Sequence, residues 1–214
     1  MSLATLLVLA DGRLPSGGHA HSGGLEAQVA AGRLGDISGL GGFLRGKLAT
    51  SGLVAAAFAA AACARPHESG PLDDGLDART PSPALRKASR AQGRALLRAG
   101  RAMWPLPPTA RDPHQPVALG VLAHASGLGP AEAAVAAAHG MTTGAASAAV
   151  RLLGLDPYAV HALLARLAPA CDRIAAEAAR RANDPVDDLP AAGTPLLDIG
   201  AEHHATWEVR LFAS

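Results

Sequence analysis

Between residues 157 and 182 the apolar side chains Val160, Leu163, Leu164, Leu167, Cys171, Ile174 and Ala178 recur at steps of three and four. That spacing draws one stripe down one face of a helix. Asp156 and Pro157 supply a cap and a first-turn residue ahead of it, while Pro169 predicts a kink or break just before its own position. Residues 130–153 repeat the theme, with Pro130 in the first turn and Val135, Ala138, Thr142, Ala146, Ala149, Val150 and Leu153 on one face. Aromatic residues make up only 3% of the chain, β-branched runs are missing, and alanine and leucine dominate at helical spacing. Such a sequence has little from which to build a sheet. The expected fold class is all-α, a helical bundle of roughly eight to ten helices, spanning 1–214 as a single domain.

Shorter helices are expected at 2–10, 22–32, 37–64, 82–102, 116–126 and 196–210. Polar, turn-rich stretches at 65–83, 104–116 and 183–195 read as loops between them. The middle of the 130–153 helix, "HGMTTGAASAA", consists almost wholly of small residues. A glycine inside a helix costs about 1 kcal/mol against alanine. Close approach of another helix, from this chain or a second copy, would offset that at Gly140 and Gly144.

Lys and Arg total 19 against 18 Asp and Glu, a net charge near +1. That balance argues against a nucleic-acid binder working through a broad basic face. The local run "RKASRAQGRALLRAGR" at 86–101 reads as the solvated face of one helix. The start "MSLATLLVLADGR" lacks the basic region of a signal peptide. The apolar run at 53–64 falls short of the roughly 20 residues that span a bilayer. Cys63 and Cys171 each sit in an apolar helical setting, as buried free thiols do. A soluble cytoplasmic protein, with no membrane or nucleic-acid partner, is the expectation.

The stretch "LADGRLPSGGHAHSGGLEAQVAAGRL", residues 9–34, holds six glycines, a proline and two histidines, residue types that can serve phosphate or metal chemistry. A phosphate loop needs a lysine and a hydroxyl residue directly after its glycines, and a dinucleotide loop needs a strand before it. Neither is present. His19 and His21 lie two apart; their rings point to opposite sides of an extended loop and diverge by about 200° in a helix. The pair by itself makes a poor chelate, so no metal site is assigned and His19 and His21 stay weak candidates. The other histidines lack the spacing of helix-borne zinc sites, and no nucleophile, base and oxyanion donors assemble. A non-catalytic binding or scaffold protein without a resident cofactor is expected. The physical role that remains for the stretch is a tight turn at Pro15 and Gly17-Gly18, with Ser22 capping the next helix.

These residues also carry a likeness. "LLVLADGRLPSGGHAHSGGLEAQVAAG", residues 6–32, resembles the N-terminal signature of the urease accessory protein UreF family. The shared pattern falls on Leu14, Pro15, Gly17, Ser22, Gly24, Leu25 and Glu26, with His19 and His21 between them. It continues in "PVALGVLAHASGL" (116–128), "SAAVRLLGLDP" (147–157) and "PLLDIGAEHHATWEVRLFAS" (195–214). This chain has His21 where many members have an aromatic, and Ala213 where many have a basic residue. The resemblance implies a UreF-like all-helical homodimer that acts as a urease maturation factor and chaperone. Such a scaffold binds UreD (UreH in some organisms) and recruits the GTPase UreG. Nickel insertion into the urease apoprotein follows, with nickel passing through as cargo. An alternative is a nickel metallochaperone that coordinates the metal through His19, His21, His203 and His204, since nickel favours imidazole.

The tail "TWEVRLFAS" ends the chain on an unusual apolar load. Such a terminus either docks on its own domain or folds on a partner. The resemblance favours the partner, with Trp207, Arg210, Leu211 and Phe212 as the contact residues and 196–214 as a segment that a partner could order.

Overall fold

Alanine lets helices approach closely, and the core of this protein is built on that closeness. The computed structural model describes residues 2–214, which form ten α-helices and, among the described residues, no strand. They are α1 (Leu3–Ala10), α2 (Leu25–Ala30), α3 (Ile37–Lys47), α4 (Leu53–Ala64), α5 (Ser69–Ala78), α6 (Pro83–Arg101), α7 (Gln115–Ala125), α8 (Pro130–Leu153), α9 (Pro157–Arg180) and α10 (Pro195–Ala205). At the centre lies α4, buried continuously from Val54 to Cys63. It packs against α7, α8 and α9. Together with α3 it makes one helix, Ile37–Ala64, which is long and apolar enough to cross a membrane; 67% of its apolar window is buried inside this fold.

Local chemistry explains most boundaries. The Asp156 carboxylate accepts the N–H groups of Tyr158 and Ala159 at 3.1 and 3.2 Å and starts α9. Glu132 reaches back to the Gly129 N–H at 2.9 Å and starts α8, with Pro130 in its first turn. The stripes on α8 and α9 turn inward, with Ala146 and Ala149 clustered with Val160, Leu163 and Leu167, and Ala138 with Cys171. Cys63 and Cys171 are buried free thiols.

Three expectations are corrected, and the expected helix over 37–64 carries one irregular turn. Residues 65–83 are not a loop: a short 3-10 turn at Pro66–Glu68 leads into α5. Leu72 and Leu76 there are one helical turn apart and both buried, and Pro71 sits in the first turn, where no N–H is needed. The break before Pro169 does not occur, and α9 runs through it. Pro169 and Ala165 are both exposed, so the carbonyl that loses its donor lies on the wet side. The last helix stops at Ala205 rather than 210, because the following residues are drawn away to α2. Finally, a π turn at Leu48–Gly52 joins α3 to α4, widening the helix just after Lys47.

Helix approaches helix closely where α7 crosses α4. A Cβ at Gly120 would overlap the Ala59 carbonyl oxygen and lie 2.7 Å from the Ala62 side chain. Gly140 and Gly144 on α8 differ: a Cβ at either meets nothing within 4 Å. Nothing among the described residues covers these two positions, so this small-residue face is open; Leu3 and Leu7 on α1 are exposed as well. Gly120→Ala therefore lowers stability by about 1–3 kcal/mol through overpacking. Gly42→Ala, at an exposed position of α3 with no neighbour within 4 Å, raises it by up to ~1 kcal/mol. Urea denaturation of the two variants beside the parent checks both signs.

Candidate functional site

The 9–34 stretch reverses the chain between α1 and α2. Leu14 donates to Asp11 O at 2.9 Å, Gly17 takes φ +75° and a 3-10 turn follows at Gly18–Ala20. Only glycine adopts that φ without strain. Gly23 and Gly24 take φ +62° and +90° and bring the chain sharply into α2, where Leu25 is fully buried. Ser22 caps α2: its Oγ accepts the Glu26 N–H at 3.2 Å.

This turn holds the C-terminal tail. Ser22 donates to the Ser214 carbonyl oxygen from its N–H at 2.6 Å and from its hydroxyl at 2.7 Å. Ala213 donates to Ala20 O at 2.7 Å. One turn further into α2, Glu26 accepts the Leu211 N–H at 2.8 Å and the Phe212 N–H at 3.0 Å, and its second oxygen lies 2.8 Å from His204 Nε2. Glu26 and His204 are both buried. The carboxylate thus satisfies two orphan amides and one ring nitrogen in a setting where each would be costly alone. Burial opposes ionisation of Glu26, but the Leu211 N–H, the His204 ring and the Phe212 N–H outweigh it and hold the carboxyl below its ordinary value.

Phe212 is 3% exposed, within the cluster of Leu25, Leu40 and Val160. The Arg151 guanidinium of α8 lies over its ring at 4.7 Å and reaches His19 O at 3.3 Å. Of the four residues expected to meet a partner, Phe212 is thus taken up by this chain's own core, and the expectation is corrected for it: its ring is on the inside. Arg210 and Leu211 are exposed, with Val209 beside them 89% exposed, and Trp207 is half-buried against His204 at 4.7 Å between ring centres. The segment 196–214 consists of α10 and a tail whose main chain bonds to Ala20, Ser22 and Glu26. Of the signature, Leu14 is half-buried and Pro15 exposed at the turn.

Among the described residues no three His, Cys, Asp or Glu side chains converge as a metal site. His19 is exposed, whereas His21 is half-buried with Nδ1 2.7 Å from the Ser214 hydroxyl. Burial and the neighbouring His19 lower its pKa. His204 faces Glu26, and His203 accepts the Trp207 indole N–H at 3.3 Å. Sequence reasoning missed Arg151 and Ser214 as tail contacts. Nothing local marks them, because their roles arise from segments about 60 residues apart for Arg151 and Phe212 and 192 apart for Ser22 and Ser214.

Comparison with known proteins bears on this geometry directly. A family model described as UreF matches residues 35–168. The urease accessory protein UreF of Mycolicibacterium vanbaalenii is 47% identical, over 100% of this chain and 99% of its own. Those of Mycobacterium sp. strain JLS and Mycobacterium tuberculosis are 46% and 42% identical with the same coverage. The chain belongs to the UreF family. Its relatives are named as accessory proteins, not as urease itself. The family model stops short of both the turn and the tail, yet the relatives align across each, so the clasp lies within the region of shared sequence.

Protonating Glu26 should loosen the clasp. Because the folded pKa is depressed, its stabilisation is whole above the ordinary value of 4.5 and is lost as pH falls through the lower folded value. Glu26→Gln should cost about 1–3 kcal/mol at neutral pH, flatten that acid limb, and speed amide exchange at Leu211 and Phe212. Denaturation across pH, with hydrogen exchange, reads all three.

Proposed function

We propose that this protein is a urease maturation scaffold, which binds UreD (UreH) and recruits UreG so that nickel reaches the urease apoprotein. One observation carries the reading. The residues of the family's N-terminal signature, Ser22 and Glu26, are the ones that hold the C-terminal tail, so the shared sequence fixes a surface rather than a reaction centre. That surface presents Trp207, Val209, Arg210 and Leu211 around a buried Phe212 anchor. Aromatic, aliphatic and arginine side chains on a rigid support are what a protein interface uses as its energetic centre. Nickel is cargo in this scheme, which takes place in the cytoplasm, and the chain itself catalyses nothing.

The scaffold works as a homodimer. The open small-residue face of α8 at Gly140 and Gly144, with exposed Leu3 and Leu7 on α1, fits the same face of a second copy. Light scattering should find a dimer for the parent chain and a monomer for Gly144→Leu.

Removing residues 205–214 should leave a folded dimer that no longer binds UreD. The sharper variant is Val209→Asp with Leu211→Asp, which keeps Glu26, Phe212 and the clasp. It should lose UreD in a pull-down while its thermal midpoint stays near the parent's; undiminished capture would sink the proposed contact.

A further inference from the structure

Lysine is rarely buried without an acidic partner, because its ammonium loses hydration that nothing replaces. Lys47, the last residue of α3, is such a case. It is 9% exposed and donates to the Gly23 carbonyl oxygen at 2.6 Å, with the Phe43 ring 6.0 Å away. An ammonium carries three donors, and no other protein acceptor meets this one. No carboxylate among the described residues pairs with it, and burial alone pulls its pKa down to about 8. The π turn at Leu48–Gly52 begins directly after it, an irregularity frequent at functional sites.

Lys47 borders a partly open cavity of about 190 Å³ lined by α3, α4, α5, α6, the start of α7, α8 and α10. Val54, Leu76, Leu85, Met141 and Leu197 give it apolar walls, and Ser51, Ser89 and Gln92 add neutral polar groups. Three further side chains that can carry charge line it. The Arg79 guanidinium is spent on the carbonyl oxygens of Gly75, Val186, Leu189 and Pro190. Burial pushes the His114 ring down, toward its neutral form. Burial pushes the Asp198 carboxyl up. Ser214 turns its main-chain oxygen to Ser22. Lys47 is thus the cation with donors to spare. The Asp198 carboxyl at the far wall leaves room for one negative charge and penalises a second. At ~30 Å³ per water the space matches about six waters, below the ~300 Å³ at which drug-sized pockets begin.

We propose that this cavity is a binding site for a small organic monocarboxylate, its carboxylate on the Lys47 ammonium and its short apolar body against Val54, Leu85 and Leu197. The ligand supplies the counter-charge that the fold withholds from Lys47. This site is separate from the tail surface and does not depend on the role proposed for that surface.

The test is calorimetric titration and thermal shift on the full chain with sodium butyrate, against sodium chloride of equal ionic strength, succinate and inorganic phosphate. Butyrate should bind one per chain and raise the thermal midpoint. Succinate and phosphate should bind at least about tenfold more weakly, ~1.4 kcal/mol. Butyrate affinity should fall as pH rises through about 8 and Lys47 loses its proton. Lys47→Met removes a buried unpaired charge, so it should fold and lose butyrate binding. Ala88→Leu fills the cavity from α6 without touching Lys47 and should lose it too, which keeps the test open if Lys47→Met is unstable. Absence of butyrate binding at millimolar concentration, binding unchanged in either folded variant, or a preference for succinate or phosphate would overturn the proposal.

Discussion

The distance between helices is the constraint on which the rest of this structure depends. With aromatics at 3% of the chain, the core cannot be filled by large rings. Dispersion contacts must come from many small side chains brought near to one another. That is why α4 is alanine on nearly every side and why α7 meets it at Gly120, where backbone touches backbone. A core of this kind tolerates little change in volume, but it is stiff, and stiffness is what a surface held for a partner needs.

The clasp extends the same logic to the chain's ends. The tail brings Phe212, one of only three phenylalanines in the sequence, into the cluster formed by α2, α3, α8 and α9. Burying its ring also buries main-chain amides that no helix satisfies. Glu26 resolves that conflict by accepting two of them, and His204 shares the carboxylate. The apolar anchor and the charged acceptor are therefore one device. Removing either would leave the other's desolvation uncompensated.

Helices were legible wherever periodicity and caps agreed. Asp156-Pro157 and Pro130 mark the starts of α9 and α8 because cap chemistry is local and depends on two or three residues. Helix α5 escaped because two leucines one turn apart are too few to stand out from the turn formers around them. The end of α10 at Ala205 and the burial of Phe212 could not be read at all, since both are set by Glu26, far off in sequence. The tail's composition said that it must dock somewhere; only the fold says where. Lys47 was invisible for a related reason: one basic residue near the end of a glycine-rich helix looks solvated until the π turn and the Gly23 turn close over it.

The glycine-rich stretch holds the tail and the buried lysine at one short turn. The positive φ values at Gly23 and Gly24 are what bring main-chain oxygens and amides to face inward. From Ser22 to Glu26 the chain offers an N–H and a hydroxyl to Ser214, a carbonyl to Lys47, and a carboxylate to Leu211, Phe212 and His204. A side chain at Gly23 would meet the Lys47 ammonium at 2.9 Å, and one at Gly24 would press on Leu197 at 3.3 Å. The glycines are therefore the condition for tail and lysine to share one short turn. Anything that shifts this turn acts on the tail surface and on the Lys47 cavity together, so the two sites are mechanically linked even though each has its own chemistry.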